Sequence, residues 1–441
     1  MKILEYTLGL PPFRRGGLPR YSTDLSEELA QNNEVYLLYP GQINPYSKKI
    51  KLSRKNNKYS FNTIEMKNSL PVSLGLGIKD EKYYMEERDI SSLKKFIKDI
   101  KPDVVHFHTL MGMPKEFLEY LHNKKIKSIY TTHDFYGLCP KMLSKNSKEE
   151  LSSSKCSYDC MMCNMGPSYK KIIIMQSHIY ENLKESKLVK NLRSKNKAII
   201  SKENEEIVFN DTQVELRYKL REYYLDMFNL IDTFHFNSGV SERYFKRFLP
   251  NIKGKIVSIT HGNLEDNRRA RNHEINHPLR FGYIGPYDKK KGFYEYTKIL
   301  KKLEKEYKFQ ADFYGDIVNR DVFKDDRFVN HGVLSSKELK QELSKLDILI
   351  VPSLWHETFG YVVLEALLEG VPCLVSTNVG AKDLLPKNWI FESNNDLEFL
   401  LKKILKNPLI NIKKMNKHII NIDIPYNLKA HAQHIQNEFY E

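Results

Sequence analysis

The sequence lacks any apolar stretch long enough to cross a membrane. No run in its 441 residues approaches the roughly 18 apolar residues that a transmembrane helix needs. Its first residues, MKILEYTLGLPP, read as a short strand followed by a proline-broken loop, without the long apolar segment of a secretory signal. We therefore expect neither an exported nor an integral membrane protein, and the cytoplasm is the expected compartment.

The sequence also lacks short internal repeats and true low-complexity tracts. Hydrophobic residues make up 41% and charged residues 28% of the chain, as in ordinary globular proteins. A chain of this length is too large for one small core and suits two or three domains.

Positive charge is concentrated in one half of the chain. Residues 1–200 contain 34 Lys and Arg against 21 Asp and Glu, whereas residues 201–441 contain 36 against 34. A basic half indicates nucleic acid, an anionic membrane surface, or simply a lysine-rich solvated face. Because no nucleic-acid recognition motif accompanies it, we expect no nucleic-acid partner.

Short apolar runs alternate with helical patterns over much of the chain, which indicates parallel sheets covered by helices on both faces. The predicted strands are 2–6, 34–39, 103–108, 127–132, 255–260, 281–285, 347–351 and 373–376. The predicted helices include 22–31, 90–100, 114–123, 293–307 and 335–345.

The alternation breaks twice, and the breaks define the expected domains. Residues 139–232 read as an insertion, a polar cysteine-bearing loop followed by mainly helical sequence, within a first domain of residues 1–262. The polar stretch 262–278 reads as a linker. A second domain is expected over 279–424, and residues 425–441 as a helix that returns to the first domain. Ligands of such doubly wound domains bind at the carboxyl ends of the strands.

The most informative segment is 347–380, DILIVPSLWHETFGYVVLEALLEGVPCLVSTNVG. A buried strand ends at a proline, and a loop and a helix follow. Thr358, Phe359 and Gly360 place backbone amides at the helix start, where the helix dipole favours a phosphate. Glu357 precedes the helix and Glu365 lies two turns inside it, so both carboxylates can accept hydrogen bonds from sugar hydroxyls. Taken alone, they read better as a capping residue and a solvated helix charge.

The surroundings of these acids resemble a known family. The spacing Glu357 to Glu365, the Phe-Gly pair, the Glu-Ala, the Gly-Val-Pro and the closing glycine are similar to the E-x7-E signature of retaining glycosyltransferases of the GT-B fold, most like glycosyltransferase family 4. The resemblance implies two Rossmann-like domains that face each other across a cleft. It implies that Glu357 contacts the donor sugar, that Glu365 binds the nucleotide ribose, and that the amides of Phe359 and Gly360 approach the sugar and diphosphate.

Other landmarks of the family follow in order. Gly16 and Gly17, in a loop after the first strand, resemble its glycine loop near the diphosphate, and Arg14 and Arg15 suit a phosphate-bearing acceptor or are surface charge.

Two histidines end predicted strands of the first domain. His133, in TTHDF, matches the histidine that in the family points at the donor sugar's hydroxymethyl group. His108, in DVVHFHTL, is a candidate for the acceptor side.

In the second domain, FGYIGPYDKKKGF resembles the family's diphosphate-binding element. Gly285 takes the tight strand end and Lys291 the cationic position. Many members have arginine after that glycine, where this chain has Pro286, so one usual positive contact is missing unless Lys289 or Lys290 replaces it. In HGVL, Val333 is expected near the nucleotide base.

Four of the five cysteines cluster as Cys139, Cys156, Cys160 and Cys163, with spacing C-x16-C-x3-C-x2-C. In a cytosolic protein this favours a metal over disulfides, and four thiolates would form a closed structural zinc site without catalytic function. Free thiols and an iron–sulfur cluster or redox pair are the alternatives.

Together these features predict a retaining glycosyltransferase that moves a sugar from a nucleotide-diphosphate sugar, with UDP or GDP favoured, to a saccharide or lipid-linked saccharide in bacterial surface or extracellular glycan synthesis. No catalytic cofactor is expected. Peripheral contact with the inner face of the membrane fits the basic first half, and residues 169–200 read as an interfacial helix or ordinary sheet cover. The alternatives are a partner-dependent or non-catalytic subunit of the same fold and, less favoured, a sugar-nucleotide epimerase or phosphorylase.

Overall fold

The computed structural model of the chain describes residues 1–73, 77–138, 166–184, 186, 210–262, 264–269, 278–318 and 320–441. The chain divides into two compact units. Unit 1 comprises Met1–Phe236, Glu242–Val257 and Ala432–Glu441, and unit 2 comprises Asn237–Ser241 and Ser258–His431.

Unit 1 is built on an eight-stranded sheet in the order β3-β4-β2-β1-β5-β6-β7-β8. All its neighbouring strands are parallel except β3 and β4. The strands are β1 (Lys2–Tyr6), β2 (Glu34–Pro40), β3 (Lys51–Lys55), β4 (Asn62–Lys67), β5 (Val104–Phe107), β6 (Lys127–Thr131), β7 (Thr233–Phe236) and β8 (Gly254–Ile256).

Helices connect the strands of this sheet, as parallel neighbours require. They are α1 (Gly17–Leu29), α2 (Ser91–Ile100), α3 (Lys115–Asn123), α4 (Tyr169–Met175), α5 (His178–Leu183), α6 (Asp211–Asn229) and α7 (Gly239–Phe248). The start of α6 is fixed by a capping box in which Asn210 and Gln213 exchange side-chain and backbone hydrogen bonds.

Unit 2 is built on a six-stranded parallel sheet in the order β11-β10-β9-β12-β13-β14. Its strands are β9 (Leu279–Ile284), β10 (Phe309–Tyr314), β11 (Phe328–Asn330), β12 (Ile348–Val351), β13 (Cys373–Ser376) and β14 (Ile390–Phe391). Its helices include α8 (Phe293–Leu303), α9 (Ser336–Leu343), α10 (Tyr361–Leu368), α11 (Asn394–Lys406) and α12 (Pro408–Ile419), and α13 (Leu428–Ile435) follows.

The central strands owe their burial to continuous apolar runs. Every residue of β12 and of β13 is buried, including Cys373, which lies in the core as its apolar neighbours predict. A strand buried on both faces is the signature of a parallel sheet between two helical layers. The predicted α/β class is therefore confirmed.

Several strands escaped the sequence prediction because their residues are polar. β3, with sequence KLSRK, is a half-exposed edge strand, and charged side chains protect such edges from pairing with other molecules. β10 contains Asp312, which is fully buried but is held by Arg280 from β9 at 2.9 Å. Ion pairing between strands is what permits the acid there, and a single-sequence pattern does not reveal it.

The bounds of the two units can be compared with the predicted domain boundaries. Unit 2 takes up the chain at Ser258, a few residues before the predicted linker at 262–278, and it also includes Asn237–Ser241. Residues Ala432–Glu441 belong to unit 1, whereas the return was expected from residue 425.

Candidate functional site

Unit 2 contains a pocket where its strand order reverses. β9 has β10 on one side and β12 on the other, so the carboxyl ends of β9 and β12 flank the switch point where ligands of such sheets bind. The pocket has a volume of about 210 Å³. It is lined by Tyr283, Ile284, Gly285, Pro286, Lys291, Val351, Pro352, Glu357, Gly360, Tyr361 and Val362.

An ion pair lies in this pocket. Lys291 Nζ is 2.9 Å from Glu357 Oε1, and the two side chains are 31% and 14% exposed. The backbone amide of Lys291 donates to Asp288 Oδ1 at 2.9 Å, which fixes the loop that carries the lysine. One cation and one carboxylate, both partly exposed to solvent, therefore line the same pocket.

The backbone around Glu357 is fixed by the loop after β13. Its amide donates to the carbonyl of Asn378 at 2.9 Å, and its carbonyl accepts from the amide of Gly380 at 3.0 Å. The carbonyl of Phe359 accepts from the amide of Ala381 at 2.7 Å. These hydrogen bonds pair the residues before α10 with residues 378–381, and Glu357 and Val379 form a parallel β-bridge.

Two glycines let the loops of the pocket approach each other. Gly292 has a φ of 73°, and a Cβ there would lie 1.9 Å from the carbonyl oxygen of Pro352. Gly360, which precedes α10, has a φ of 105°, a backbone conformation that residues with a side chain rarely adopt. Any other residue at Gly292 would push the loop that carries Lys291 away from β12.

The remaining residues of the predicted signature lie next to the pocket in different ways. Phe359 is buried, and the carbonyl of Thr358 accepts a hydrogen bond from the Ser238 hydroxyl. Glu365 Oε1 lies 3.1 Å from Nε2 of the buried His261, whose Nδ1 donates to the carbonyl of Gly262 at 2.8 Å. His261 thus fixes the direction of the Glu365 carboxylate.

The region around Pro286 does not gain its missing positive charge from the next two lysines. Among the described residues, neither Lys289 nor Lys290 lines the pocket. Lys290 Nζ lies over the Trp355 ring, 5.7 Å from its centroid, and the Lys290 carbonyl accepts from the amides of Leu354 and Trp355. Lys291 is therefore the lysine of this run that the fold directs into the pocket.

The predicted base-binding loop begins after β11. His331 stacks on Tyr314 with ring centroids 4.6 Å apart and donates to Asp312 Oδ1 at 2.7 Å. Val333 is 67% exposed, and in the described part of the chain it is not a lining residue of the pocket. Its expected contact with a base remains a prediction.

In unit 1, the glycine loop opens α1. Gly16 directly precedes the helix, which begins at Gly17, and no side chain caps this end. Arg14 lies close by and is half-buried, and the loss of solvent lowers its pKa. Its guanidinium packs over the Phe13 ring, whereas Arg15 donates to the carbonyl of Pro12 at 3.3 Å.

The two predicted histidines of unit 1 touch each other. His108 Nδ1 lies 3.1 Å from His133 Nε2, and His108 Nε2 lies 2.6 Å from Glu5 Oε2. Sequence reasoning found the histidines from their places at strand ends but missed Glu5, a fully buried acid within β1. The sequence gives one indication of Glu5: it is a charged residue between the apolar residues of β1.

Asp134 follows His133 and has an unusual environment. Burial raises the pKa of its carboxyl to about 6, although the amide of Tyr136 donates to it at 2.9 Å and opposes the shift. This carboxyl therefore changes charge close to neutral pH.

The predicted zinc ligands Cys139, Cys156, Cys160 and Cys163 lie outside the described residues. Zinc remains a prediction. Among the described residues, no helix is long and apolar enough to span a membrane.

Two family models match the chain in succession. The model described as Glycosyltransferase Family 4 matches residues 15–155, and the model described as Glycosyl transferases group 1 matches residues 265–422, which include the pocket of unit 2. Both segments of the chain are thus similar to glycosyltransferases of the family 4 type. The predicted resemblance to glycosyltransferases of the family 4 type is thereby confirmed, whereas the E-x7-E signature and a retaining course remain predictions.

Two curated relatives come from Klebsiella pneumoniae. An uncharacterized 41.2 kDa protein in the cps region is 29% identical over 179 residues, which are 40% of this chain and 43% of that protein. An uncharacterized 42.6 kDa protein in the cps region is 25% identical over 334 residues, which are 75% of this chain and 71% of that protein. The match thus spans less than half of the first relative's length.

Solved structures agree with the fold. Sucrose-phosphate synthase from Thermosynechococcus elongatus is 14% identical with a TM-score of 0.57, covering 99% of this chain and 97% of that one. Anabaena HepE in complex with UDP is 12% identical with a TM-score of 0.50, covering 100% and 96%. At this identity the likeness shows the fold alone, and the expected GT-B class with two Rossmann-like units is confirmed.

Proposed function

We propose that the chain is a retaining glycosyltransferase that transfers a sugar from a nucleotide-diphosphate sugar to a saccharide or lipid-linked saccharide. The observation that carries the proposal is the Lys291–Glu357 pair, 2.9 Å apart, in a pocket at the switch point of a Rossmann-like sheet. A phosphate-binding cation beside a hydroxyl-binding carboxylate suits a molecule that contains both a diphosphate and a sugar.

The donor would use both features of the pocket. Lys291 and the amides at the start of α10 stabilise the departing diphosphate. Glu357 contacts the sugar, and Glu365, held by His261, binds the ribose. UDP is the favoured nucleotide because the HepE structure of the same fold contains it, and GDP is the second choice.

The stereochemical course we propose is retention by same-face attack. The leaving phosphate oxygen takes the proton of the acceptor hydroxyl, and the sugar carbon passes through an oxocarbenium-like state without a covalent intermediate. Glu357 then acts by positioning the sugar rather than as a nucleophile. Cleavage of the sugar–phosphate bond releases the nucleoside diphosphate as the second product.

The acceptor is proposed to be a growing bacterial surface glycan. The curated relatives are named for a cps region, which supports polysaccharide synthesis. Arg14 and Arg15 beside the glycine loop suit a phosphate-bearing acceptor.

We also propose peripheral membrane binding, because α4 and α5 expose apolar side chains beside lysines. Ile174, Ile179 and Leu183 on α4 and α5 are 60%, 73% and 52% exposed, and Lys170 and Lys171 are exposed on α4. Exposed apolar groups beside lysines suit an anionic bilayer surface. Sedimentation with vesicles that contain anionic lipid tests this, and equal binding by I179E would contradict it.

A second candidate is a partner-dependent or non-catalytic subunit. Pro286 favours it, because a usual diphosphate contact is absent and Lys290 is directed onto Trp355. Such a protein would bind nucleotides weakly or only with its partner.

A thermal-shift panel with UDP, GDP, ADP, CMP and TDP separates the two candidates. A nucleotide present at about a hundred times its dissociation constant stabilises the protein by about 2.7 kcal/mol. The transferase predicts a shift with one diphosphate that disappears in K291A and persists in K289A, a matched control because Lys289 is exposed and outside the pocket. No shift with any nucleotide would favour the partner-dependent subunit.

A further inference from the structure

Two buried tyrosines support the loop that carries Lys291 in unit 2. The loop runs from Gly285, directly after β9, to Gly292, directly before α8. Tyr283 and Tyr287 are each 1% exposed, and a buried tyrosine hydroxyl usually has a hydrogen-bond partner. The proposed chemistry uses only Lys291 from this region, so neither tyrosine has an assigned role.

Tyr283 connects the two ends of this loop. Its hydroxyl donates to the carbonyl of Pro286 at 2.8 Å, and it also contacts the carbonyl of Lys291 at 3.4 Å. One proton can be shared between two acceptors in a bifurcated hydrogen bond. The contact therefore ties the start of the loop, next to β9, to the residue whose side chain contacts Glu357.

The ring of Tyr283 is itself held firmly. Tyr283 lies in β9, which has β10 on one side and β12 on the other, and its ring packs edge-on against Phe293 with centroids 5.7 Å apart. The ring of Phe313 on β10 is also 5.7 Å away, and that of Tyr296 on α8 is 6.1 Å away. Packing against three aromatic rings fixes the hydroxyl before any ligand binds.

Lys291 is held at its backbone on both sides of the peptide unit. Its amide donates to Asp288 Oδ1 at 2.9 Å, and its carbonyl accepts from the Tyr283 hydroxyl. Its side chain, 31% exposed, contacts Glu357 at 2.9 Å. The ammonium group can therefore turn from the carboxylate toward a ligand while the loop stays in place.

The position of this loop matters because it directs a single lysine of its run into the pocket. Pro286 stands where many members of the family that the chain resembles have arginine, and neither Lys289 nor Lys290 lines the pocket in the described part of the chain. A charge-assisted hydrogen bond to a phosphate needs a distance of about 2.7–2.9 Å between donor and acceptor. A displaced loop would lengthen that distance for Lys291, and the described residues of the run supply no second cation.

We propose that Tyr283 is a positioning residue, whose hydroxyl holds the Lys291 loop in the place from which the ammonium group meets the diphosphate of the donor. This inference rests on the proposed transferase function for the diphosphate, but the effect on Lys291 can be measured without a ligand. The competing interpretation is a purely structural one, in which the hydroxyl satisfies buried carbonyls and contributes only to folding.

Tyr287 provides a matched control from the same loop. Its hydroxyl donates to Asn330 Oδ1 at 2.8 Å, at the end of β11. Y283F and Y287F therefore each remove one buried, neutral hydrogen-bond donor and keep the ring, so both should lower stability by a similar, small amount. Of the two substitutions, Y283F is the one that removes the contact with the Lys291 carbonyl.

The first experiment measures the reactivity of Lys291 in the protein without ligand. Brief acetylation with a limiting amount of an activated ester, followed by mass spectrometry, gives the rate at Lys291 relative to the exposed Lys289. Y283F should raise this ratio about threefold, the size expected when a partly exposed ion pair is lost, and E357Q measures that loss directly. Y287F should leave the ratio unchanged. An unchanged ratio in Y283F, or an equal rise in Y287F, would overturn the proposal.

Binding measurements complete the test. Y283F should weaken the binding of UDP, measured by calorimetry, about fivefold, the size expected for one hydrogen bond. In the K291A background the same substitution should have no further effect, because Tyr283 acts through Lys291. An equal loss in both backgrounds would mean that Tyr283 contacts the ligand itself or supports the fold generally, and would overturn the proposal. If the unsubstituted protein binds no nucleoside diphosphate, the proposed function fails, whereas the reactivity of Lys291 still decides the role of Tyr283.

Discussion

The pocket of unit 2 and the buried network of Glu5, His106, His108 and Tyr440 in unit 1 bring polar groups together in opposite ways. In unit 2, an ion pair between partly exposed side chains faces a space that a ligand can enter. In unit 1, Glu5 is fully buried, and its partners reach it from positions as distant as Tyr440, 435 residues further along the chain. The first arrangement can rearrange on binding, whereas the second is fixed before any ligand arrives.

This difference has an energetic consequence. A partly exposed ion pair contributes little to stability, about 0–1 kcal/mol, so we expect its residues to serve binding rather than folding. Removing one member of a buried charged network leaves the other uncompensated, at a cost of about 3–5 kcal/mol. Substitution of Lys291 or Glu357 should therefore affect activity alone, whereas substitution of Glu5 should also affect folding.

The largest effect is expected in the pocket of unit 2. K291A and E357A should each lower kcat/KM at least about 100-fold, because each removes a group aimed at charge or hydroxyls of the donor. The melting temperature should stay close to that of the unsubstituted protein. Steady-state transfer assays and thermal melts check both statements, with K289A as the control.

Full activity in either variant, with the control also active, would contradict the assignment of the pocket. Loss of folding in K291A would contradict the comparison itself, because it would show that the pair supports the fold.

The sequence predicted the pocket far better than the network, for a physical reason. Lys291, Glu357 and Gly360 belong to continuous segments whose residue spacing is set by one strand–loop–helix passage, so a linear pattern records them. Glu5 and Tyr440 meet through the folded sheet of unit 1, and no spacing along the chain records that contact. Pairing between β9 and β10 likewise explains the buried Asp312, which made β10 hard to predict.

The next effect concerns Glu365. H261A should raise the donor KM about tenfold, equivalent to about 1.4 kcal/mol, because His261 Nε2 contacts the Glu365 carboxylate at 3.1 Å and orients it. The kcat at saturating donor should change little, since ribose binding is remote from the transferred sugar. Transfer kinetics over a range of donor concentrations test this, and E365Q should show the same pattern. An unchanged donor KM in both variants would mean that the pair is structural.

A stability effect is expected at Asp134. Its folded-state pKa of about 6 lies above the usual value of 3.8, so between these pH values the unfolded chain releases the proton first. Stability should therefore fall as pH rises through this window, and the destabilisation is complete above pH 6 and absent below about pH 4. D134N keeps an acceptor for the Tyr136 amide but has no charge.

The expected result is that D134N raises the free energy of unfolding by up to about 3 kcal/mol at pH 8 and by almost nothing at pH 4. Denaturant unfolding at both pH values measures this. An equal effect at the two pH values would show that the substitution acts through packing rather than through the carboxyl charge.

The smallest effect on activity is expected from the cysteines. A structural zinc site of Cys139, Cys156, Cys160 and Cys163 predicts about one metal per chain by elemental analysis. Because a site closed by four thiolates has no open position for a substrate, zinc removal should reduce stability before it reduces transfer at low temperature. Freshly purified, reduced protein without metal would leave free thiols as the better interpretation. A metal that remained in C160S and C163S but was lost in H106Q would instead point to Glu5 and its histidines, and would reverse the contrast drawn between the two units.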